Sequence, residues 1–211
     1  MGVDSLVFAG VTQIDGIPVL GKGCVGLVTQ AIMDNHPIAL KIRRMDADRP
    51  SMEREAKLLR LANSVDVGPR LVTATRNFIA MELFTGIPLY RWSEIRPSEK
   101  PVRGLLTSLL DSCFRLDSIG LDHGELSHAP KNVLVGPWGR GCIVDFESAS
   151  TARRVSNVTS LIQYFMFGRI SKTLRTVKMF QERRRIIDAL SEYKEEGSVQ
   201  SYLRALDALG L

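Results

Sequence analysis

Paired metal-ligand spacings, long apolar runs and low-complexity tracts are missing from this 211-residue chain, and each absence removes a class of function. The cysteines, Cys24, Cys113 and Cys142, are odd in number and lack metal-ligand spacing. The histidines, His36, His123 and His128, do not complete a zinc set, so no structural zinc is expected. The longest strongly apolar run, near Leu161–Phe167, falls far short of the roughly 20 residues that cross a bilayer. The opening MGVDSLVFAG has no basic residue ahead of its short apolar stretch, so a secretory signal is not expected. Leu6 stands where the myristoylation pattern wants serine or threonine. A cytoplasmic, reduced protein without membrane association is the expectation.

What is present is an ordinary globular composition, 45% hydrophobic and 24% charged, which argues against disorder and fibrous architectures. The length suits one domain or two small lobes sharing a core. A net charge of +5 favours phosphate-bearing or acidic partners without establishing nucleic-acid binding.

Up to about residue 85 the pattern predicts short strands: Leu6–Val11, Ile17–Leu20, Gly26–Met33, Ile38–Arg43, Leu71–Thr75 and Phe78–Leu83, rich in β-branched and aromatic residues and separated by turn formers. Asp34-Asn35-His36-Pro37 reads as a turn between antiparallel neighbours. One helix interrupts them, with Ser51 as its cap, an apolar stripe through Met52, Ala56, Leu59 and Ala62 or through Leu58 and Leu61, and an end before Gly68-Pro69. From residue 97 the period becomes helical. Leu105, Leu106, Leu109, Leu110, Phe114 and Leu116 predict a buried helix ending at Gly120. Short β segments at Asn132–Val135 and Cys142–Val144 flank the turn Gly136–Gly139, and two or three helices are expected from about Val155 on. The fold class is therefore α+β and two-lobed: residues 1–84 a β-rich lobe, 85–96 a linker, 97–211 a small helical lobe.

Gly21-Lys22-Gly23-Cys24-Val25-Gly26-Leu27-Val28 fits G-x-G-x-x-G-x-V. Glycines let a backbone turn tightly and bring its N–H groups to phosphate oxygens. Alone, the match also describes a hairpin with glycine-rich turns. Lying between two strands, it is unlike a Rossmann site, where a helix follows. Ile38-Ala39-Leu40-Lys41 on the next strand matches V-A-I-K. Fourteen residues on, Glu55 in the first helix can hold the Lys41 ammonium against phosphates, with Glu53 as the competing choice. Met81, Glu82 and Leu83 run from a strand toward Gly86-Ile87-Pro88 and offer backbone groups to a base edge. In the second half, Leu121-Asp122-His123-Gly124-Glu125-Leu126-Ser127 precedes Lys131 and Asn132, and then comes Asp145-Phe146-Glu147. Asn132 and Asp145 flank a β-hairpin, so their hard oxygen donors can converge on one divalent cation, for which magnesium is suited.

In this order the residues resemble the protein-kinase-like superfamily over residues 20 to about 165, in particular the RIO and related archaeal-type serine/threonine kinases. The resemblance implies a protein-kinase-like fold, with a β-rich N-lobe and a minimal helical C-lobe, and ATP with Mg²⁺ (Mn²⁺ as substitute) as cofactors. It implies that Gly21, Gly23 and Gly26, with Val28 and Ala39, enclose the nucleotide. Lys41 and Glu55 would form the ion pair, Met81, Glu82 and Leu83 the hinge, and Asn132 and Asp145 the metal ligands. Glu125 would be the general base, with Asp122 as the alternative and Lys131 adding positive charge at the transferring phosphoryl. The expected activity is an atypical serine/threonine protein kinase, autophosphorylating or ATPase-like, with a protein acceptor.

The chain departs from the family at several points. The catalytic loop carries Glu125 where the family has aspartate, and seven rather than five residues separate it from Asn132. A displacement of about 1 Å can cost on the order of 100-fold in rate, which motivates a second reading as an ATP-binding pseudokinase or interaction module. Asp145-Phe146-Glu147 replaces Asp-Phe-Gly and, with His123-Gly124-Glu125, also resembles choline-kinase and aminoglycoside-phosphotransferase sequences. That motivates a third reading as a small-molecule kinase. Between Arg153 and Arg185 lie nine basic residues against Glu182. They read as a solvated face or as a docking surface for RNA, ribonucleoprotein or an acidic partner.

Overall fold

Two dipeptides with left-handed backbone set the hairpins of the first half. Asp15-Gly16 (φ 49° and 80°) and Asp34-Asn35 (φ 50° and 62°) adopt the paired positive φ of the tight two-residue turn, which matches the right-handed twist of the strands it joins. The first closes β2 (Thr12–Ile14) onto β3 (Ile17–Val19), and the second closes β5 (Gly26–Met33) onto β6 (His36–Arg43). The computed structural model describes residues 2–95, 97–168, 170–176, 180 and 182–211, with backbone alone at 129, 130, 175 and 176.

The fold is α+β with antiparallel sheets, and the chain forms two compact units. The first comprises Met1–Ser64 and Gly68–Phe84. Its sheet runs β1 (Val3–Val7), β5, β6, β8 (Phe78–Glu82) and β7 (Leu71–Ala74), and β4 (Gly21–Lys22) also pairs with β5. Alternate residues of β6 face opposite sides. Ile38 and Leu40 pack with Ala31 and Ala80 in a core cluster, while Ala39 and Lys41 lie on the other face. Helix α1 (Glu53–Asn63) buries Glu55, Ala56, Leu59 and Ala62, the spacing of one helical stripe. The cap expected of Ser51 is not made. Met52 takes the flanking position with no side-chain cap, and Glu53 and Glu55 in the first turn complement the helix dipole instead.

The second unit comprises Val65–Val67 and Thr85–Leu211. The stretch 85–96, expected to be a linker, carries β9 (Ile87–Pro88) and α2 (Leu89–Glu94), both part of this unit. Leu89 and Trp92 are buried, and that burial makes the stretch an element rather than a tether. Helix α3 (Glu99–Ser118) wholly buries Leu105, Leu106, Leu109, Leu110 and Leu116 of the expected stripe, while Phe114 is half-buried and Cys113 fills the buried position beside it. Each such leucine is worth roughly 1.5–3 kcal/mol of transfer free energy. A short helix, α4 (Ala129–Asn132), leads into β10 (Val133–Val135), which pairs with β11 (Gly141–Ile143) and β9. Asn132 therefore ends a helix instead of starting a strand.

Four helices follow among the described residues, where two or three were expected: α5 (Asn157–Phe167), α6 (Ser171–Thr176), α7 (Arg183–Glu196) and α8 (Val199–Leu209). Gly197, left-handed at φ 61°, stops α7, and Ser198 opens α8 through a reciprocal cap with Ser201. No helix among the described residues is long and apolar enough to cross a membrane.

Candidate functional site

The first unit carries the glycine-rich hairpin and the lysine. Gly21 pairs with Val28 across β4 and β5, and the Gly23 N–H donates to the Gly26 carbonyl at 2.8 Å. Residues 23–26 are thus one tight turn with Cys24 exposed in it. Arg44 braces the turn from β6's end, its backbone N–H reaching the Val25 carbonyl at 2.8 Å and its guanidinium the Gly23 carbonyl at 3.3 Å.

Lys41 stands opposite Val28 on β5 and Ile79 on β8, in the middle of the sheet. Its ammonium meets Glu55 Oε1 at 2.7 Å, with side-chain exposures of only 4% and 8%. A Cβ on Gly26 would lie 2.8 Å from Lys41 Cε and 2.9 Å from Cγ, so only glycine lets the hairpin lie against the lysine stem. Glu53, the competing choice, is exposed on α1. Ala39 is buried and pairs with Met81. Of the expected hinge residues, Met81 and Glu82 belong to β8, and the Glu82 N–H already donates to the Arg70 carbonyl at 2.8 Å. Leu83 lies past the end of the strand.

The second unit carries the acidic loops. Gly124 has φ +86°, and a Cβ there would meet the Ser148 carbonyl at 2.9 Å and the Arg153 guanidinium closer still. This turn delivers Glu125, whose Oε2 accepts from Asn132 Nδ2 at 3.1 Å and whose Oε1 accepts from the Ser148 hydroxyl. Asn132 is buried; its carbonyl accepts from the Val144 N–H at 2.9 Å, which ties it to the residue before Asp145. Asp145 itself is left-handed (φ 68°, ψ 76°), a conformation costing a non-glycine residue about 1–2 kcal/mol. Such an outlier is held by its surroundings and marks a candidate functional position. Phe146 is buried beneath it, its ring 5.1 Å from that of His123.

His123 is wholly buried. Its Nε2 lies 3.1 Å from the Val144 carbonyl, so that nitrogen carries the proton; Nδ1 has no hydrogen-bond partner among the described residues. Burial pulls its pKa down and keeps the ring neutral.

Asp122 is differently engaged. It is buried, bridges to Ser150 through both backbone groups, pairs with Arg153 Nε at 2.9 Å and accepts from the Ser156 N–H at 3.1 Å. Its carboxylate ties the loop to the start of α5 rather than standing open as a base. Lys131 is exposed on α4.

Asn132 and Asp145 both carry hard oxygen donors of the kind a divalent cation takes. With Asn132 Nδ2 donating to Glu125, the amide oxygen is the end left to act as a ligand. Several basic residues of the 153–185 stretch are spent inside the chain. Arg153 clamps Asp122, Arg154 donates to the Lys194 carbonyl, Arg183 lies over the Phe167 ring and Arg185 pairs with Asp207. Lys172 and Arg184 are exposed. Arg169, Lys178 and the Arg175 side chain lie outside the described residues.

Sequence reasoning missed Ser148 and Asn157 altogether and read Arg153 as surface charge. Each acts through a partner 23 to 34 residues away in the chain, and no local pattern marks such pairings. No protein-family model matches the chain, and no curated protein is significantly similar to it.

Proposed function

We propose that this chain is an ATP-dependent phosphotransferase using Mg²⁺, of the atypical serine/threonine protein-kinase kind. The observation that carries the reading is the buried Lys41–Glu55 pair beneath Gly26. A buried ion pair is a poor stabiliser, because desolvation offsets its Coulomb attraction and an apolar pair of similar volume does as well or better. A lysine held by a carboxylate under a glycine turn is instead suited to a ligand of high negative charge. In this reading the Gly21–Gly26 hairpin turns its N–H groups to phosphate oxygens and Lys41 neutralises them. Asn132 and Asp145 would hold Mg²⁺, which neutralises charge on the transferring phosphoryl group. Glu125 accepts the proton of the acceptor hydroxyl, its carboxylate oriented by Ser148 and Asn132.

A specific observation favours a second reading, a nucleotide-binding module without turnover. Both Glu125 oxygens already accept a hydrogen bond, so an acceptor hydroxyl must compete with Asn132 and Ser148 for the carboxylate. Incubation with radiolabelled ATP and Mg²⁺ separates the two. Phosphate transfer or ADP release that disappears in Asp145→Ala supports the phosphotransferase. Nucleotide-induced stabilisation of about 2.7 kcal/mol at 100-fold over the dissociation constant, without turnover, supports the module. Transfer at full rate in Asp145→Ala removes the proposal.

A further inference from the structure

The amide of Asn157, at the first position of α5, is buried and fully committed. Its Oδ1 accepts from the His123 N–H at 2.8 Å, and its Nδ2 donates to the Leu121 carbonyl and to Asp117 Oδ1, both at 2.7 Å. The amide orientation is forced, since His123 N–H only donates while the other two groups only accept. One side chain therefore grips the loop at residues 121 and 123, immediately before Gly124 and Glu125.

Asn157 is in turn held by Asp117, in the last turn of α3. Asp117 Oδ1 accepts from the Asn157 backbone N–H at 3.0 Å as well as from Nδ2, and Oδ2 accepts from the Val158 N–H at 3.3 Å. The remaining donor to Asp117 comes from far along the chain: the Tyr193 hydroxyl of α7, at 2.9 Å. Tyr193 is buried, and its ring packs against Phe114 and Tyr202 at centroid distances of 6.3 and 6.1 Å. A separate anchor holds the same helical hairpin. Tyr202 of α8 stacks on Phe114 at 4.4 Å and donates to Asp111 at 2.6 Å, without touching Asp117.

We infer that Tyr193 is a positioning residue for the loop carrying Glu125, acting through Asp117 and Asn157, so that the docked state of the C-terminal hairpin regulates that loop. The inference rests on the phosphotransferase reading for its consequence, but not for its geometry. Four consecutive groups, Tyr193 hydroxyl, Asp117 carboxylate, Asn157 amide and His123 N–H, form one unbroken hydrogen-bonded series within the second unit. Removing the hydroxyl leaves Asp117 one donor short, and the Asn157 amide loses a fixed support. Tyr202 serves as the internal control, because its hydroxyl anchors the hairpin to α3 while bypassing the series.

The test compares Tyr193→Phe with Tyr202→Phe, variants that keep both rings, by hydrogen exchange of the His123 amide without nucleotide and by steady-state kinetics with ATP and Mg²⁺. Exchange at His123 is expected to quicken about three- to tenfold in Tyr193→Phe, what one lost hydrogen bond is worth, and to hold steady in Tyr202→Phe. In Tyr193→Phe, kcat is expected to fall while KM for ATP stays put. Unchanged exchange in Tyr193→Phe, or an equal rise in both variants, overturns the inference. The first outcome means the series carries nothing, and the second that the hairpin merely stabilises the unit as a whole. The exchange readout needs no nucleotide. A chain that neither binds nor turns over ATP yet shows the selective rise keeps the positioning role and loses only the phosphotransferase reading.

Discussion

At the scale of single residues, the Lys41–Glu55 pair makes the sharpest demand. Both groups are almost wholly buried at 2.7 Å, so removing one takes from the other the opposite charge it contacts. Lys41→Met is expected to destabilise by about 3–5 kcal/mol in urea denaturation, whereas Lys41→Met/Glu55→Leu recovers most of that loss because no charge is left to desolvate. A double variant no more stable than the single one would mean that the pair is needed for stability itself. Lys41, Glu55 and the three glycines could be singled out in the sequence because their order and spacing resemble a kinase pattern, and of these the Lys41–Glu55 contact is observed. The occupation of Asp122 could not: the groups that consume its carboxylate, Arg153 and Ser156, lie 31 and 34 residues on. The sequence offers Asp122 as the alternative base, and in the structure its carboxylate is buried against Arg153 and Ser156.

Elements were legible where a local signal starts and stops them. Gly26–Met33 came out at the bounds expected, and its turn into β6 follows from Asp34-Asn35, whose short polar side chains tolerate left-handed backbone. Short α2 was missed because six residues carry too little periodicity, and the C-terminal helices were undercounted because their breaks rest on single residues such as Gly197. The α7–α8 hairpin has a measurable signature. Burial raises the proton affinities of Tyr193 and Tyr202 above the ordinary 10.0, helped by Asp117 at Tyr193 and Asp111 at Tyr202, and burial also lifts the Cys113 thiol well above 9.0. The folded chain thus retains protons that the unfolded chain releases. Stability from these groups is whole below about pH 9 and declines as pH rises toward their folded-state values. Thermal midpoints are expected to fall steadily above pH 9, and less steeply in Tyr193→Phe and Tyr202→Phe. A midpoint flat to pH 11, or equal slopes in all three proteins, would contradict the docking described for this hairpin.

On the scale of the whole molecule, antiparallel strands and helices divide the chemistry between two units. The glycine hairpin and the Lys41–Glu55 pair occupy the first, and Asn132, Asp145 and an oriented Glu125 occupy the second. The α+β class followed from the change of hydrophobic period near residue 97, since sheets and helices bury their faces with different repeats. The small elements at 85–96 escaped that reading, because their burial depends on partners elsewhere in the second unit. The central claim is that these groups serve a nucleoside triphosphate and its metal. Isothermal titration of the folded chain with ATP and Mg²⁺ tests it most directly. Saturable heat that is lost in Lys41→Met/Glu55→Leu, a variant chosen to stay folded, is the expected result. No heat from the folded wild-type chain, or the same heat from that variant, would contradict it.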